Sequence, residues 1–435
     1  MRKTSFVGIL VWFLCSPLLA EIPGNLEIAR LQEEVNQAIL DVRDAKASKW
    51  PTIELEANGT YMSNPLIGPI TIPAGVVIPS AIPLYEGMES TLYELGVTIT
   101  QPLFTWGKIN ASVKAQEAVA EAKSRKLINR EQELYTEIAT RAGALQELRA
   151  IDVLLKKQHA MGEELLAISN EAVKSGMLLE VEQAERELHL QEIELALLDS
   201  AHAIAEQERK LKQLTSIQDF SAYLYNEDAV LEMLSKPVET LVIQALSSRN
   251  ASLGALAAMH RATQAAEELA RGSFYGKPDL ALVVSAGYSG AKLPLVESDW
   301  NIQDNYDFTV SIGLKSTVFD GGKISNAIKR AESQKHSATL ELQEAKQLIA
   351  SEVEATYLLL ETALEKLDLE RRKQETLIRR IETNTNLYQS GYGERSQVIQ
   401  AGMNLLTSRI TEHQLKIGAW EACQKLRFLS EVSPL

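Results

Sequence analysis

Four stretches of the chain alternate apolar and polar residues with a period of two. From Thr52 to Met62, Ile53, Leu55, Ala57 and Tyr61 share one parity, and Glu54, Glu56, Asn58 and Thr60 the other. Tyr93, Leu95, Val97 and Ile99 stand against Glu94, Gly96, Thr98 and Thr100, and Phe308, Val310, Ile312 and Leu314 against Thr309, Ser311, Gly313 and Lys315. The stretch from Asp279 to Tyr288 is more evenly apolar. Successive side chains of a strand point to opposite faces, so this periodicity predicts strands at about 52–62, 93–101, 279–288 and 306–317. Turn-forming residues separate the first pair, with Pro65, Pro69, Pro73, Pro79 and Pro83 between them.

Elsewhere the period is helical. Lys108 to Lys174 holds no proline and one interior glycine, Gly143; Lys323 to Gln389 holds neither. Each run of 67 residues predicts a helix of roughly 100 Å at ~1.5 Å per residue. In the first, Ile109, Val113, Leu127, Leu134, Ile138, Leu145 and Leu148 form a near-heptad seam, and Val119, Ile128, Tyr135, Ala142 and Ile151 a second. Two seams suit a helix packed in a sheet or tube of helices rather than in a two-stranded coil. Ser175-Gly176-Met177 and Ser390-Gly391-Tyr392-Gly393 read as tight turns with glycine in the left-handed region. Helices resume to about Thr215 and Leu429.

The same order of elements occurs twice. Phe104-Thr-Trp-Gly107-Lys108-Ile109 returns as Phe319-Asp-Gly-Gly322-Lys323-Ile324, and Ser175-Gly176 as Ser390-Gly391, both at an offset of 215. Trp50-Pro51 returns as Lys277-Pro278 at 227, so the first copy carries a loop about 12 residues longer. The chain divides into a leader (1–20), a first repeat (21–215, hairpin 107–215), a connector (216–235) and a second repeat (236–435, hairpin 321–430). Each repeat is a helix, a strand pair and a long helical hairpin. Gly107, Gly321 and Gly322 let the chain turn from strand into helix. The connector's Phe220, Tyr223 and Tyr225 are expected to pack on the outside of the helices.

Alternation alone is commonest in soluble half-buried sheets. Three features favour a membrane: strands of about the 9 to 11 residues needed to cross a bilayer at a tilt; polar faces of glutamate, threonine and glycine, suited to a wet lumen; and Tyr61, Tyr93, Tyr288 and Tyr306 at the loop-side ends, where an aromatic girdle lies. Four strands cannot close a barrel, and open edges are not tolerated in hydrocarbon. In lipid, several chains must share one wall: two copies give eight strands and a filled interior, three give twelve and a pore.

Composition agrees with an exported chain. Arg2 and Lys3 precede an apolar run from Phe6 to Leu14, with a cleavage site near Ala20; the alternative is an N-terminal anchor helix. Cys15 lacks the small preceding residue of a lipoprotein signal. Net charge is −14, which argues against nucleic-acid binding. Mean hydropathy of −0.10 excludes a polytopic helical membrane protein. The six histidines show no metal-ligand spacing, and neither Gly107-Lys108 nor Gly321-Gly322-Lys323 has the glycine spacing of a phosphate loop. No cofactor, metal or catalytic site is expected.

With these features in place, the sequence resembles the TolC-like outer membrane efflux family across essentially the whole mature chain. The resemblance rests on Trp50-Pro51-Thr-Ile-Glu-Leu55, Gln101-Pro102-Leu-Phe104-Thr-Trp-Gly107, Val318-Phe319-Asp-Gly-Gly322, and the two Ser-Gly tips followed by Val181-x-x-Ala184 and Val398-x-x-Ala401. It implies a membrane α+β protein built of two tandem repeats, a homotrimer whose twelve-stranded β-barrel continues into a twelve-helix α-barrel. It implies an outer membrane location in a Gram-negative bacterium, extending into the periplasm. The partners implied are outer membrane lipid, a periplasmic adaptor, and an inner-membrane transporter driven by protons or ATP. The function implied is a passive exit duct for efflux or type I secretion. In some relatives two aspartates spaced i, i+3 after the second tip narrow the tunnel; the matching positions here are Gln397 and Gln400, with Glu180 and Gln183 in the first copy. Amides in place of aspartates weaken any cation-binding ring. Ser175, Gly176, Ser390 and Gly391 are the implied adaptor-docking tips. The rival reading is a secreted coiled-coil structural or adhesive protein without channel activity.

Overall fold

The computed structural model describes residues 25–63, 70–72, 82–85, 90–215, 220, 223–247, 249–290 and 306–430. The expected leader and its cut near Ala20, Pro65, Pro69, Pro73 and Pro79, and parts of the connector lie outside the described residues. In chain order the elements are α1 (Leu26–Ala47), β1 (Thr52–Tyr61), β2 (Ile70–Ile72), β3 (Ile82–Tyr85), β4 (Thr91–Phe104), α2 (Lys108–Lys174), α3 (Glu180–Leu214), α4 (Glu227–Ser235), α5 (Val238–Ala245), α6 (Ala251–Gly272), β5 (Asp279–Gly290), β6 (Tyr306–Lys315), α7 (Lys323–Gln389) and α8 (Arg395–Ser430). Two compact units emerge, each drawing on both halves of the chain: one from 33–124 and 255–343, the other from 1–32, 125–254 and 344–435.

The first unit carries a four-stranded antiparallel sheet in the order β1-β4-β5-β6. Its central pair, β4 with β5, joins strands from opposite halves of the chain. Pro102 faces Ala281 and Phe104 faces Leu280, so Leu103 is an extra residue in β4. A proline has no amide to give to a ladder and settles at such a bulge. β2 and β3 form a small separate hairpin inside the long first loop, with Pro83 opposite Thr71.

Both strand-to-helix turns belong to this unit. Trp106 and Gly107 take φ of 52° and 80°, and Gly321 and Gly322 take 70° and 87°. Positive φ is cheap for glycine and costly for tryptophan. Trp106 is anchored through its indole N–H, which donates to the Pro278 carbonyl at 2.9 Å, and Lys108, two residues on, pairs with Asp279. In the second turn the Asp320 carboxylate accepts the amides of Gly322 at 3.0 Å and Ile324 at 2.8 Å, and the Tyr275 hydroxyl. The Tyr275 hydroxyl, assisted by those amides, holds the Asp320 carboxyl below its usual range.

The second unit is helical and has three cores. α4 and α5 pack Val230, Met233 and Leu241 against Val353 and Leu360 of α7 and Trp420, Cys423 and Leu426 of α8. Each such side chain contributes about 1.5–3 kcal/mol on burial. Leu134, Tyr135, Ile138 and Leu145 of α2 meet Leu211 of α3, with Phe220 and Tyr223 against them. Leu165, Ile193, Ile399 and Met403 join α2, α3 and α8. Part of the connector is thus helical and lays one face on α7 and α8: Asn226 caps α4, its side-chain oxygen accepting the amides of Asp228 and Ala229 at 3.0 and 3.3 Å. Of the first expected seam, Val113, Leu127, Leu134, Ile138 and Leu145 are buried; of the second, Tyr135, Ala142 and Ile151 are, while Ile128 is exposed. Trp420 is buried, and its indole N–H reaches the Ala139 carbonyl at 2.9 Å.

Candidate functional site

The sheet sorts most of its side chains by chemistry, with Val283 on the polar face and Gln101 on the apolar one among the exceptions. Residues directly opposite in a ladder point to the same face. Following the rungs, Leu55 lies beside Val97, Val97 beside Ala286, and Ala286 beside Phe308; likewise Ile53, Ile99, Val284 and Val310 align. One continuous face is therefore apolar. The rungs between them run Glu56–Gly96–Gly287–Asp307 and Glu54–Thr98–Ser285–Thr309. On this polar face the two glycines leave a hollow of about 310 Å³ lined by Glu56, Asn58, Glu94, Ser289 and Asp307.

The loop-side end of the apolar face is aromatic. Tyr288 and Tyr306 share a rung with ring centroids 5.2 Å apart, and Tyr93 covers Gly59, where a Cβ would meet its ring at 3.6 Å. β1 and β6 are the edges. Both are exposed along their whole length, with Leu55 77% and Phe308 70% exposed. An exposed apolar face between two unpaired backbone edges is unstable in water and incomplete in lipid. It becomes satisfied only in an apolar medium with both edges paired.

The helix tips are two copies of one local motif. At the α2–α3 break Met177 N–H donates to Ala172 C=O at 2.8 Å and Gly176 N–H to Val173 C=O at 2.9 Å. At the α7–α8 break Tyr392 donates to Leu387 at 2.9 Å and Gly391 to Tyr388 at 3.0 Å. This paired closure is the Schellman cap, which needs a left-handed residue; Gly176 and Gly391 supply φ of 70° and 78°. Ser175 and Ser390 hydroxyls bond back to the carbonyls of Glu171 and Asn386. The residues after the glycines, Met177 and Tyr392, are 82% and 88% exposed.

Gln397 is exposed on the first turn of α8, with its carbonyl accepting from Asn384 at 3.2 Å. Gln400 is half-buried and reaches Asn404 at 3.5 Å. Between them Ile399 enters the core, so the glutamines flank the packed face. Glu180 is exposed at the start of α3, and Gln183 donates to Asn170 of α2. Among the described residues no hydrogen bond joins Gln397 or Gln400 to Glu180 or Gln183.

Near the second tip stands an ion pair that no local pattern announced: Arg395 of α8 reaches Glu164 of α2 at 2.7 Å. It ties one hairpin to the other, as does Gln158 with Thr407 at 3.0 Å. Farther along, Arg371 holds both oxygens of Glu227 at 2.9 and 2.8 Å and lies 3.5 Å from Glu412. Arg371 holds the Glu227 carboxyl below its usual range against the opposing effect of burial. Burial pushes Glu412 up, but hydrogen bonds from Lys416 and Gln374 outweigh it and leave that carboxyl low too. Buried Glu147 pairs with His413 at 2.5 Å. These residues are scattered over four elements and share no spacing.

Among the described residues no group of three or more His, Cys, Asp or Glu is placed to hold a metal ion, and no helix is long and apolar enough to cross a membrane.

The fold is similar to the crystal structure of the outer membrane protein VceC from Vibrio cholerae, at 16% identity and a TM-score of 0.73, covering 93% of each chain. It is similar to the Campylobacter jejuni outer membrane channel CmeC, at 15% identity and a TM-score of 0.73, covering 93% of this chain and 83% of that one. The open state of the Neisseria gonorrhoeae MtrE outer membrane channel matches at 12% identity and a TM-score of 0.68, over 92% and 86%. Identities this low carry the fold and nothing finer. No curated protein sequence matches. The sequence model described as "Outer membrane efflux protein" matches residues 22–215 and 242–430. With that match over most of its length, the chain belongs to the outer membrane efflux protein family.

Proposed function

We propose that this chain is the outer-membrane exit duct of a tripartite export system, a homotrimer whose twelve strands close one barrel and whose long helices form a tunnel into the periplasm. Members of its family are channels rather than enzymes, and the work of transport falls to an inner-membrane transporter. The observation that carries this reading is the sheet: one apolar face, one polar face and two unpaired edges. Such a sheet suits a barrel wall with lipid outside, water inside and a neighbouring copy at each edge. The tandem repeats, 21–215 and 236–435 around the connector 216–235, each supply half of one protomer's wall.

Exposed apolar residues on the helices fit the same assembly. Val181, Leu188 and Leu195 of α3 recur at heptad spacing, and Leu348, Leu358, Leu359 and Leu369 project from α7; neighbouring subunits would cover them. Gln397 and Gln400 narrow the tunnel by size and hydrogen bonding, with Glu180 and Gln183 contributing less. The tips at Ser175-Gly176 and Ser390-Gly391 receive the periplasmic adaptor. Small molecules, metals or proteins pass as the transporter selects them.

The test is direct. The mature protein should fractionate with outer membranes, require detergent, form a trimer by light scattering and conduct ions in a planar bilayer. A water-soluble monomer or dimer without conductance would return the secreted coiled-coil reading.

A further inference from the structure

The two open edges have a specific fit for one another. β1 and β6 each span 10 residues, and they run in opposite directions. The rung through Tyr306 passes Tyr288 and Leu95 and meets β1 at Ala57, four residues before its last residue, Tyr61. The rung through Thr52 passes Thr100 and Val283 and meets β6 at Ser311, four residues before its last residue, Lys315. Both ends of the sheet therefore drift by the same amount over three strand-to-strand steps. A fourth step at the same pace, across the joint to the next copy, brings the drift to between five and six.

Alternation then restricts the choice. Apolar residues are odd-numbered in β1 and even-numbered in β6, so only an even drift keeps the apolar face continuous. At ~3.3 Å per residue and ~4.8 Å between strands, a drift of four per protomer tilts a twelve-strand ring by roughly 35° and a drift of six by roughly 45°. Both lie near the range of outer-membrane barrels, and eight exceeds it. Charge separates the two. With four, Lys315 faces Thr52. With six, Lys315, the only cation on the polar face of these strands, stands directly opposite Glu54, with Glu56 diagonal to it. Tyr61 then faces Phe308 at the aromatic end. Opposite charges and aromatic pairs directly across a ladder are the favourable ones.

Resting on the trimeric barrel reading above, we infer that β6 of one protomer pairs antiparallel with β1 of the next in the register that sets Lys315 opposite Glu54, Ser311 opposite Asn58, Thr309 opposite Thr60 and Phe308 opposite Tyr61. The joint thus places eight residues of each strand in one ladder.

Cysteine pairs in the full-length protein in its native membrane test the register. Directly opposite residues have Cβ atoms within disulfide reach, whereas diagonal neighbours stand roughly 7–8 Å apart. Thr309→Cys combined with Thr60→Cys should give covalently linked trimers on mild oxidation, and Thr309→Cys with Asn58→Cys should stay monomeric in denaturing gels. The reverse pattern establishes the drift of four and overturns the inference, as does failure of both pairs to link in trimers that still conduct. Charge provides an independent readout. Glu54→Lys should lower the temperature at which the detergent-resistant trimer dissociates, and adding Lys315→Glu should restore it. No recovery in the double variant counts against the Glu54–Lys315 pair. Absence of any trimer or pore in the unmodified protein would instead remove the barrel reading underneath.

Discussion

Replacing Gly143 by alanine sets two physical effects against each other and the structure decides the sign. In an exposed helix interior, alanine is better than glycine by about 1 kcal/mol, so sequence reasoning alone predicts stabilisation. In the structure, a Cβ on Gly143 would lie 2.3 Å from Nε1 and 2.4 Å from Cδ1 of Trp420. Trp420 is 2% exposed and packs among Val353, Leu360 and Leu426, so the indole has no free space to move into. Shifting it strains the core by about 1–3 kcal/mol and breaks the hydrogen bond to the Ala139 carbonyl, worth about 1 kcal/mol. Set against the propensity gain, Gly143→Ala should destabilise by about 1–3 kcal/mol. Helical circular dichroism of the detergent-solubilised protein, melted at one fixed scan rate, should show a midpoint lower by roughly 1–3 °C. Gly143→Ala with Trp420→Phe should recover part of that loss, because the smaller ring vacates the contact. A midpoint for Gly143→Ala at or above the parent value would refute the packing argument.

Breaking the tie between hairpins with Arg395→Ala, which removes the 2.7 Å pair to Glu164, should raise single-channel conductance while leaving the helical melt nearly unchanged; an unaltered conductance would free that pair from any part in closure. Gln397→Asp with Gln400→Asp should sensitise the channel to block by multivalent cations, measured in planar bilayers, and unchanged block would place the constriction elsewhere. Glu227 and Glu412 both titrate below their ordinary value of 4.5 in the folded protein. Depressed carboxylates stabilise above the unfolded pKa and lose that contribution as pH falls through the folded one. The helical unit should therefore hold constant stability from pH 7 to about 5 and weaken below about 4.5, with Arg371→Met flattening that acid slope in a pH series of thermal melts.

The sequence displayed the strands because their two faces carry opposite residues, apolar on one and polar on the other, at every second position. β1 and β6 show it most plainly, with Leu55 beside Glu54 and Phe308 beside Thr309. The long helices were equally visible, since proline is absent over the whole of α2 and α7. What stayed hidden depends on residues far apart in the chain. Nothing in the alternation says that β4 pairs with β5, or that Leu103 is squeezed out of the ladder beside Pro102. Asn226 is a good helix cap, yet α4 is short and its buried face of Val230 and Met233 gains its meaning only from α7 and α8. Gly143 reads locally as a weak point in a helix; its use is to seat an indole from α8. At the tips the glycines were legible through their turn chemistry, whereas the Arg395–Glu164 tie has no signature along the chain.

An edge strand that finds its hydrogen bonds only on another subunit makes membrane insertion a collective event. In the trimeric barrel proposed above, a lone copy would have no acceptable resting place in the bilayer, and the rate of maturation should then climb steeply with the supply of chains. The same dependence has a genetic face. In a cell making equal amounts of intact and edge-damaged chain, only about one three-membered ring in eight would escape a damaged copy, and a lesion confined to one side of one strand would behave as dominant.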